Sequence, residues 1–167
     1  MNDNLNIILT RIDNRLVHGQ VGLTWTATLG ANLIVVIDDI AANDTLQQKL
    51  MEAVAKSSSV QIRFFTVDQF VSIMDNATAD QKIFIVVHSP IGVQRLLEKG
   101  VPIKTVNVGN MHYERGKMPL NRKVYVDEAD LEALKMIESY QVQLFIQDVP
   151  GAVSEKLVNI KDIKFKL

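Results

Sequence analysis

The chain has 167 residues, 47% hydrophobic and 22% charged, which is the length of one core and the balance of a folded globular protein. This excludes a disordered chain, a collagen and a coiled coil. Lys and Arg number 18 against 19 Asp and Glu, a net charge of −1, so no global basic field draws the chain to nucleic acid. With no cysteine there is no disulfide frame, thiolate zinc site, iron–sulfur cluster or cysteine nucleophile. The start, MNDNLNIILTRID, lacks the basic region and long apolar core of a secretion signal. Its apolar runs of about five residues fall far short of the roughly 20 that span a bilayer. A soluble, cytoplasmic chain forming a single domain over residues 1–167 is expected.

In chain order, β-branched runs alternate with helical patterns. Residues 6–10 (NIILT) read as a strand, followed by a loop and a helix running through Trp25 to about Leu29. Residues 33–37 (LIVVI) form a second strand. Leu46, Leu50, Met51 and Val54 then fall on one helical face behind Asn43 or Asp44 as N-cap. A strand at 60–65 precedes the stripe begun by Phe70, Ile73 and Met74. Next comes 83–87 (IFIVV), wholly apolar like 33–37 and suited to burial on both faces. The helix of Val93, Leu96 and Leu97 stops at Gly100 and Pro102. Strands follow at 105–108, 123–126 and 142–146, with a helix carrying Leu131, Leu134 and Ile137 before the last. Asp127, Glu128 and Asp130 suit that helix's N-terminal dipole. This alternation predicts an α/β fold: a doubly wound, mostly parallel open sheet of about seven strands with helices on both faces. Ligands of such sheets bind beyond the carboxyl ends of the strands.

The loop after the first strand reads Arg11-Ile-Asp13-Asn-Arg15-Leu-Val-His18-Gly19-Gln20-Val. Its parts suit a phosphoryl group. Arginine forks bind phosphate oxygens and stay charged, and a helix start offers free N–H groups with a positive dipole end. Gly19 permits close backbone approach. A neutral imidazole there is able to accept a phosphoryl group, with Asp13 holding its tautomer or pinning an arginine. The alternative is a surface Arg–Asp–Arg salt-bridge cluster beside a capping histidine.

The eleven residues R-I-D-N-R-L-V-H-G-Q-V resemble the signature of the IIB subunits of the mannose/fructose/sorbose family of the bacterial sugar phosphotransferase system. The resemblance extends through Trp25, Val36-Ile37-Asp38-Asp39, Ala42-Asn43-Asp44, Gly100-Val101-Pro102-Ile103-Lys104 and Asn107-Val108-Gly109. It implies that His18 takes a phosphoryl group through Nδ1 from a phosphohistidine of a IIA partner and passes it to a sugar held by a membrane IIC/IID complex. It implies Arg15, Arg11 and Asp13 as further catalytic residues, with Gly19, Gln20, Asn107 and Gly109 contacting phosphate or substrate. It also implies a separate IIA chain, a homodimer, and a location at the inner face of the membrane through IIC/IID. One late antiparallel strand is expected, at 123–126 or 142–146. No metal or cofactor is needed by this logic, and no G-x-x-x-x-G-K-[ST] motif points to direct use of a nucleotide.

Residues 101–124 carry five Lys and Arg against Glu114 alone, a basic loop fit to flank a phosphate or guide an acidic partner. The family reads N-V-G-G-M where this chain has Asn110, which opens the backbone role of that position. Asp38-Asp39 evoke a receiver domain, but the strand at 60–65 supplies no terminal aspartate, so a structural turn or a polar contact near the Arg11 loop is expected. His18, His88 and His112 all follow predicted strands, and their convergence would make a zinc hydrolase. A non-catalytic binding or regulatory module on the same fold is the other alternative.

Overall fold

Each β-branched run of the sequence does become a strand, but two of them end up in unexpected places. The computed structural model describes residues 2–167, and of Gln20 the backbone alone. The elements are β1 (Ile7–Asp13), α1 (Gly19–Leu29), β2 (Leu33–Ile37), α2 (Thr45–Ser57), β3 (Gln61–Phe65), α3 (Val67–Ile73), β4 (Ile83–Val87) and α4 (Pro90–Glu98). They continue with β5 (Thr105–Asn110), β6 (Met118–Pro119), β7 (Tyr125–Val126), α5 (Glu128–Ser139), β8 (Gln143–Ile146) and β9 (Glu155–Lys156). Seven strands form one sheet in the order β3-β2-β4-β1-β5-β8-β9. Every pairing is parallel except β8 with β9.

Strand alternation divides the core. Leu33, Val35 and Ile37 of β2 with Ile83, Ile85 and Val87 of β4 face α3, α4 and α5. Ile34, Val36, Phe84 and Val86 face Trp25 of α1 and Met51 and Ala55 of α2. Helices therefore cover both faces, as the doubly wound pattern requires. Local signals agree. Asp44 caps α2 by accepting from Gln47 N at 3.1 Å, and Asp127 with Asp130 forms a reciprocal capping box on α5. Among the described residues no helix is long and apolar enough to cross a membrane.

Three expectations need correction. The run at 123–126 is not in the main sheet. Tyr125–Val126 pairs antiparallel with Met118–Pro119 in a separate ribbon, tied to the end of β5 by a parallel bridge from Val124 to Met111 and by Tyr125 N→Met111 O at 2.9 Å. Residues 142–146 are not the antiparallel member of the main sheet, since β8 runs parallel to β5. The antiparallel strand is β9, because the chain turns back after β8 and a direct return can pair only that way. Finally, α2 buries Met51 and Ala55, while Leu46 and Leu50 are 69% and 63% exposed.

β1 also runs three residues beyond its predicted end. It lies between β4 and β5, and ladder partners on both sides carry it on: Arg11 opposite Val86 and Asn107, Ile12 opposite Val87 and Val108, Asp13 opposite Asn110. The chain leaves β1 toward β2 and leaves β5 toward β8. Neighbouring strands whose connections diverge open a crevice between their carboxyl ends, and the His18 loop starts there.

Candidate functional site

Asp13, the last residue of β1, is the hub of the site. Its carboxylate is 1% exposed and accepts from Arg11 Nη2 at 3.0 Å and from the Arg15 backbone N–H at 3.0 Å. Arg15 Nε lies 3.7 Å from the same carboxylate, and its side chain is 50% exposed. His18 is the N-cap residue of α1 in extended conformation, with no side chain capping the helix. Its Nε2 is buried and faces Asp13 Oδ2 at 3.5 Å. Burial lowers the His18 pKa from its ordinary value near 6.5; Asp13 works against this, and Arg15 and Arg11 reinforce it. At neutral pH the ring is uncharged. A proton on Nε2 would face Asp13 and leave the lone pair on Nδ1.

Arg11 sits deeper, 2% exposed. Beyond Asp13, its Nη1 donates to Asn107 Oδ1 at 2.6 Å and to the Gln147 carbonyl at 3.1 Å. Its guanidinium lies 5.4 Å from the Trp25 ring centroid, within cation–π range. Asn107, itself buried, donates to the same Gln147 carbonyl at 3.1 Å. Gly109 lies against this guanidinium, for a Cβ there would sit 2.0 Å from Arg11 Cζ. Glycine is needed here for space, and its φ is ordinary. Gly19 opens α1 with φ +43°, and the Gln20 side chain lies outside the described residues.

The predicted residues thus converge on one crevice, though at two depths: His18 and Arg15 at the mouth, with Arg11 and Asn107 beneath Asp13. Sequence reasoning missed Gln147 and Asp148. The Asp148 carbonyl accepts from Trp25 Nε1 at 3.0 Å, and its carboxylate pairs with Lys123. Both residues directly follow β8, so the strand-end rule that found Arg11 was the available signal. Asn14 was missed as well; it bonds to Asn110 and His112.

The remaining candidates lie elsewhere. Asp38 accepts from Ala41 N at 2.8 Å, and Asp39 pairs with Arg95 at 2.9 Å. Asp38 thus closes the turn after β2, while Asp39 ties that turn to α4 and to the start of α3, where it also accepts from Val67 N at 3.4 Å. His88 lines a separate cavity of about 180 Å³ with Asp38, Asp39, Ser89 and Arg95. Among the described residues no three His, Cys, Asp or Glu side chains are grouped to hold a metal ion, so the three histidines do not converge.

The family description "PTS system sorbose subfamily IIB component" matches residues 7–166. The chain belongs to this family. An N-acetylgalactosamine-specific phosphotransferase enzyme IIB component 1 of Escherichia coli is 53% identical over 152 residues, covering 91% of this chain and 96% of that protein. The crystal structure under that name superposes with a TM-score of 0.89 over 91% of this chain and 99% of its own. A mannose-specific EIIAB component of E. coli is 34% identical over 160 residues, covering 95% of this chain and 49% of that protein. As a IIB component, the chain is a phosphocarrier of the phosphotransferase system: it accepts phosphate from IIA and passes it to sugar through IIC/IID.

Proposed function

We propose that His18 is the phosphoryl carrier of this IIB component and that Nδ1 is the atom that takes the group. The supporting observation is that Nε2 is turned inward to a buried carboxylate at the start of a helix. The Nδ1 lone pair attacks phosphorus on the donor's phosphohistidine. The new P–N bond forms as the donor's P–N bond breaks, and the donor ring keeps the released electron pair. His18 then holds a cationic ring and a dianionic phosphoryl group. Asp13 offsets the ring charge through Nε2. The exposed Arg15 and the uncapped N–H groups of α1 offset the phosphoryl charge, the dominant demand in phosphoryl transfer. In the second step a sugar hydroxyl attacks phosphorus, the P–Nδ1 bond breaks, and the hydroxyl proton is released.

Arg11 holds Asp13 from below, and is itself held by Asn107 and the Gln147 carbonyl with Gly109 leaving it room. In this scheme Arg11 contributes its charge through Asp13 rather than as a fork on the transferred group, and Gly19 lets the backbone approach phosphate. Residues 1–167 act as a single IIB domain, cytoplasmic and recruited to the inner face of the membrane through IIC/IID. An acceptor sugar of the N-acetylgalactosamine type is supported by two E. coli relatives named for it, at 53% and 41% identity. A homodimer is supported by the exposed Leu46 and Leu50 on α2.

The deciding experiment follows phosphate from phosphoenolpyruvate through the general phosphotransferase proteins and a IIA protein by native mass spectrometry. Wild type should gain one acid-labile phosphate and His18→Ala none. Equal labelling of the variant refutes the assignment. Transfer onward in membranes carrying the IIC/IID complex, offered N-acetylgalactosamine, mannose or sorbose, tests the sugar.

A further inference from the structure

The loop that presents His18 is under backbone strain. Leu16 and Gly19 both adopt left-handed conformations, at φ +57° and +43°. A non-glycine residue there is strained and persists only where its surroundings hold it. Leu16 and Val17 are anchored by burial in the α1–α2 layer. The other end of the loop is anchored through Asn14. Its backbone N–H donates to the Asn110 carbonyl at 3.0 Å. Its side-chain oxygen accepts from Asn110 Nδ2 at 2.7 Å, and its Nδ2 bonds to His112 Nδ1. Glu114 Oε1 lies 3.2 Å from His112 Nε2. That contact draws the ring proton to Nε2 and leaves Nδ1 as the acceptor Asn14 requires.

The aim of Asn110 has a local cause. Ile12 pairs with Val108 but Asp13 pairs with Asn110, so Gly109 is an extra residue on β5. Such bulges re-aim the next side chain. Asn110 has no positive φ, so its backbone asks for no glycine, and its amide is free to reach Asn14. A glycine at 110, as in the family pattern, lacks the group that makes this bond.

We propose that Asn110 and His112 are positioning residues for phosphoryl transfer, holding the His18 loop through Asn14. The proposal rests on His18 as the carrier. Neither residue touches the reacting atoms. Each acts on the orientation of Nδ1, and misplacing a reacting group by about 1 Å costs up to roughly 100-fold in rate.

The test uses phosphoramidate as a small phosphoryl donor, so that no partner surface is involved, and follows the rate of phosphohistidine formation by phosphorus NMR. His112→Phe removes the acceptor and keeps a ring. Asn110→Gly removes the donor. Both should lower the limiting rate about tenfold, leave the half-saturating phosphoramidate concentration within about twofold, and keep the wild-type melting temperature. His112→Gln restores an acceptor and should recover most of the rate, a rescue that a purely structural role would not give. Should His112→Phe prove unstable, Glu114→Gln weakens the same tautomer from the exposed side and should slow transfer in the same sense. Wild-type rates in folded His112→Phe and Asn110→Gly overturn the proposal. So does a His112→Gln variant as slow as His112→Phe. His18→Ala labelled by phosphoramidate to the same stoichiometry as wild type overturns the carrier assignment and this proposal with it.

Discussion

Asp13 joins Arg11, Arg15 and His18, and its deepest support, Arg11, can be probed at Gly109. A methyl group at position 109 would lie 2.0 Å from Arg11 Cζ. The guanidinium must then leave its bonds to Asp13, Asn107 and Gln147, because the strand backbone cannot retreat. Gly109→Ala should cost about 1–3 kcal/mol of stability in denaturant titration, as overpacking does, and slow His18 phosphorylation. Wild-type stability would mean that Arg11 is freer than its burial implies. A second expectation concerns pH. Burial holds the His18 pKa below its ordinary value near 6.5, so Nδ1 keeps its lone pair in moderately acidic solution. The pH profile of phosphoramidate labelling should stay level through 6.5 and fall only beneath it. The stability effect has a definite sign. As pH drops below 6.5, the unfolded chain takes up a proton that folded His18 refuses, so stability declines until the folded pKa is passed. Much at this scale was legible in the sequence. Arg11, Asp13, Arg15 and His18 stand within eight residues, and their types alone suit phosphate. The Gln147 and Asp148 contributions to Arg11 and Trp25 are backbone carbonyls from the far end of the chain, and every residue carries a carbonyl, so side-chain chemistry gave no sign of them.

Among the elements, those with dense signals were readable and those held by tertiary pairing were not. The wholly apolar runs at 33–37 and 83–87 became interior strands with five buried residues each. β6, β7 and β9 are two-residue ladders, too short for any period to show. The extension of β1 through Arg11 and Asp13 depends on partners on both sides, which override two charged residues that read as loop. Helix starts lie at the readable end. Asp127 accepts from Asp130 N at 2.7 Å, and Asp130 Oδ2 accepts from Asp127 N at 3.1 Å. Asp127→Ala should therefore destabilise the fold by about 1 kcal/mol while leaving phosphoramidate labelling unchanged, since α5 packs on the sheet face opposite α1. Thermal melting beside the labelling assay measures both, and lost labelling in a folded variant would tie α5 to the site in a way the packing does not provide.

For the molecule as a whole, the question is which surfaces the carrier uses. Helix α2 illustrates how periodicity can mislead: the pattern puts Leu46 and Leu50 on one face with Met51, yet Met51 and Ala55 are the residues buried against the sheet. One turn apart, the two leucines present an apolar strip, and Ile40 beside the start of the helix is 72% exposed. Isolated exposed leucines need no explanation, but a contiguous strip on the outward face of a helix does. A second copy of the chain is the occupant consistent with the homodimer proposed above. Such an interface lies on the α1–α2 side of the sheet, whereas in the basic segment after β5 Lys117 is already engaged by Asp130 at 3.5 Å. Joint replacement Leu46→Asp and Leu50→Asp should convert a dimer to a monomer in sedimentation velocity without altering the rate at which phosphoramidate labels His18. The leucines are already exposed in the single chain, so the fold itself loses little. A wild type that sediments as a monomer at micromolar concentration removes the dimer. A double variant that remains dimeric moves the interface off α2, and the next surface to test would be the short β9 edge, where Val153 and Val158 are 84% and 64% exposed.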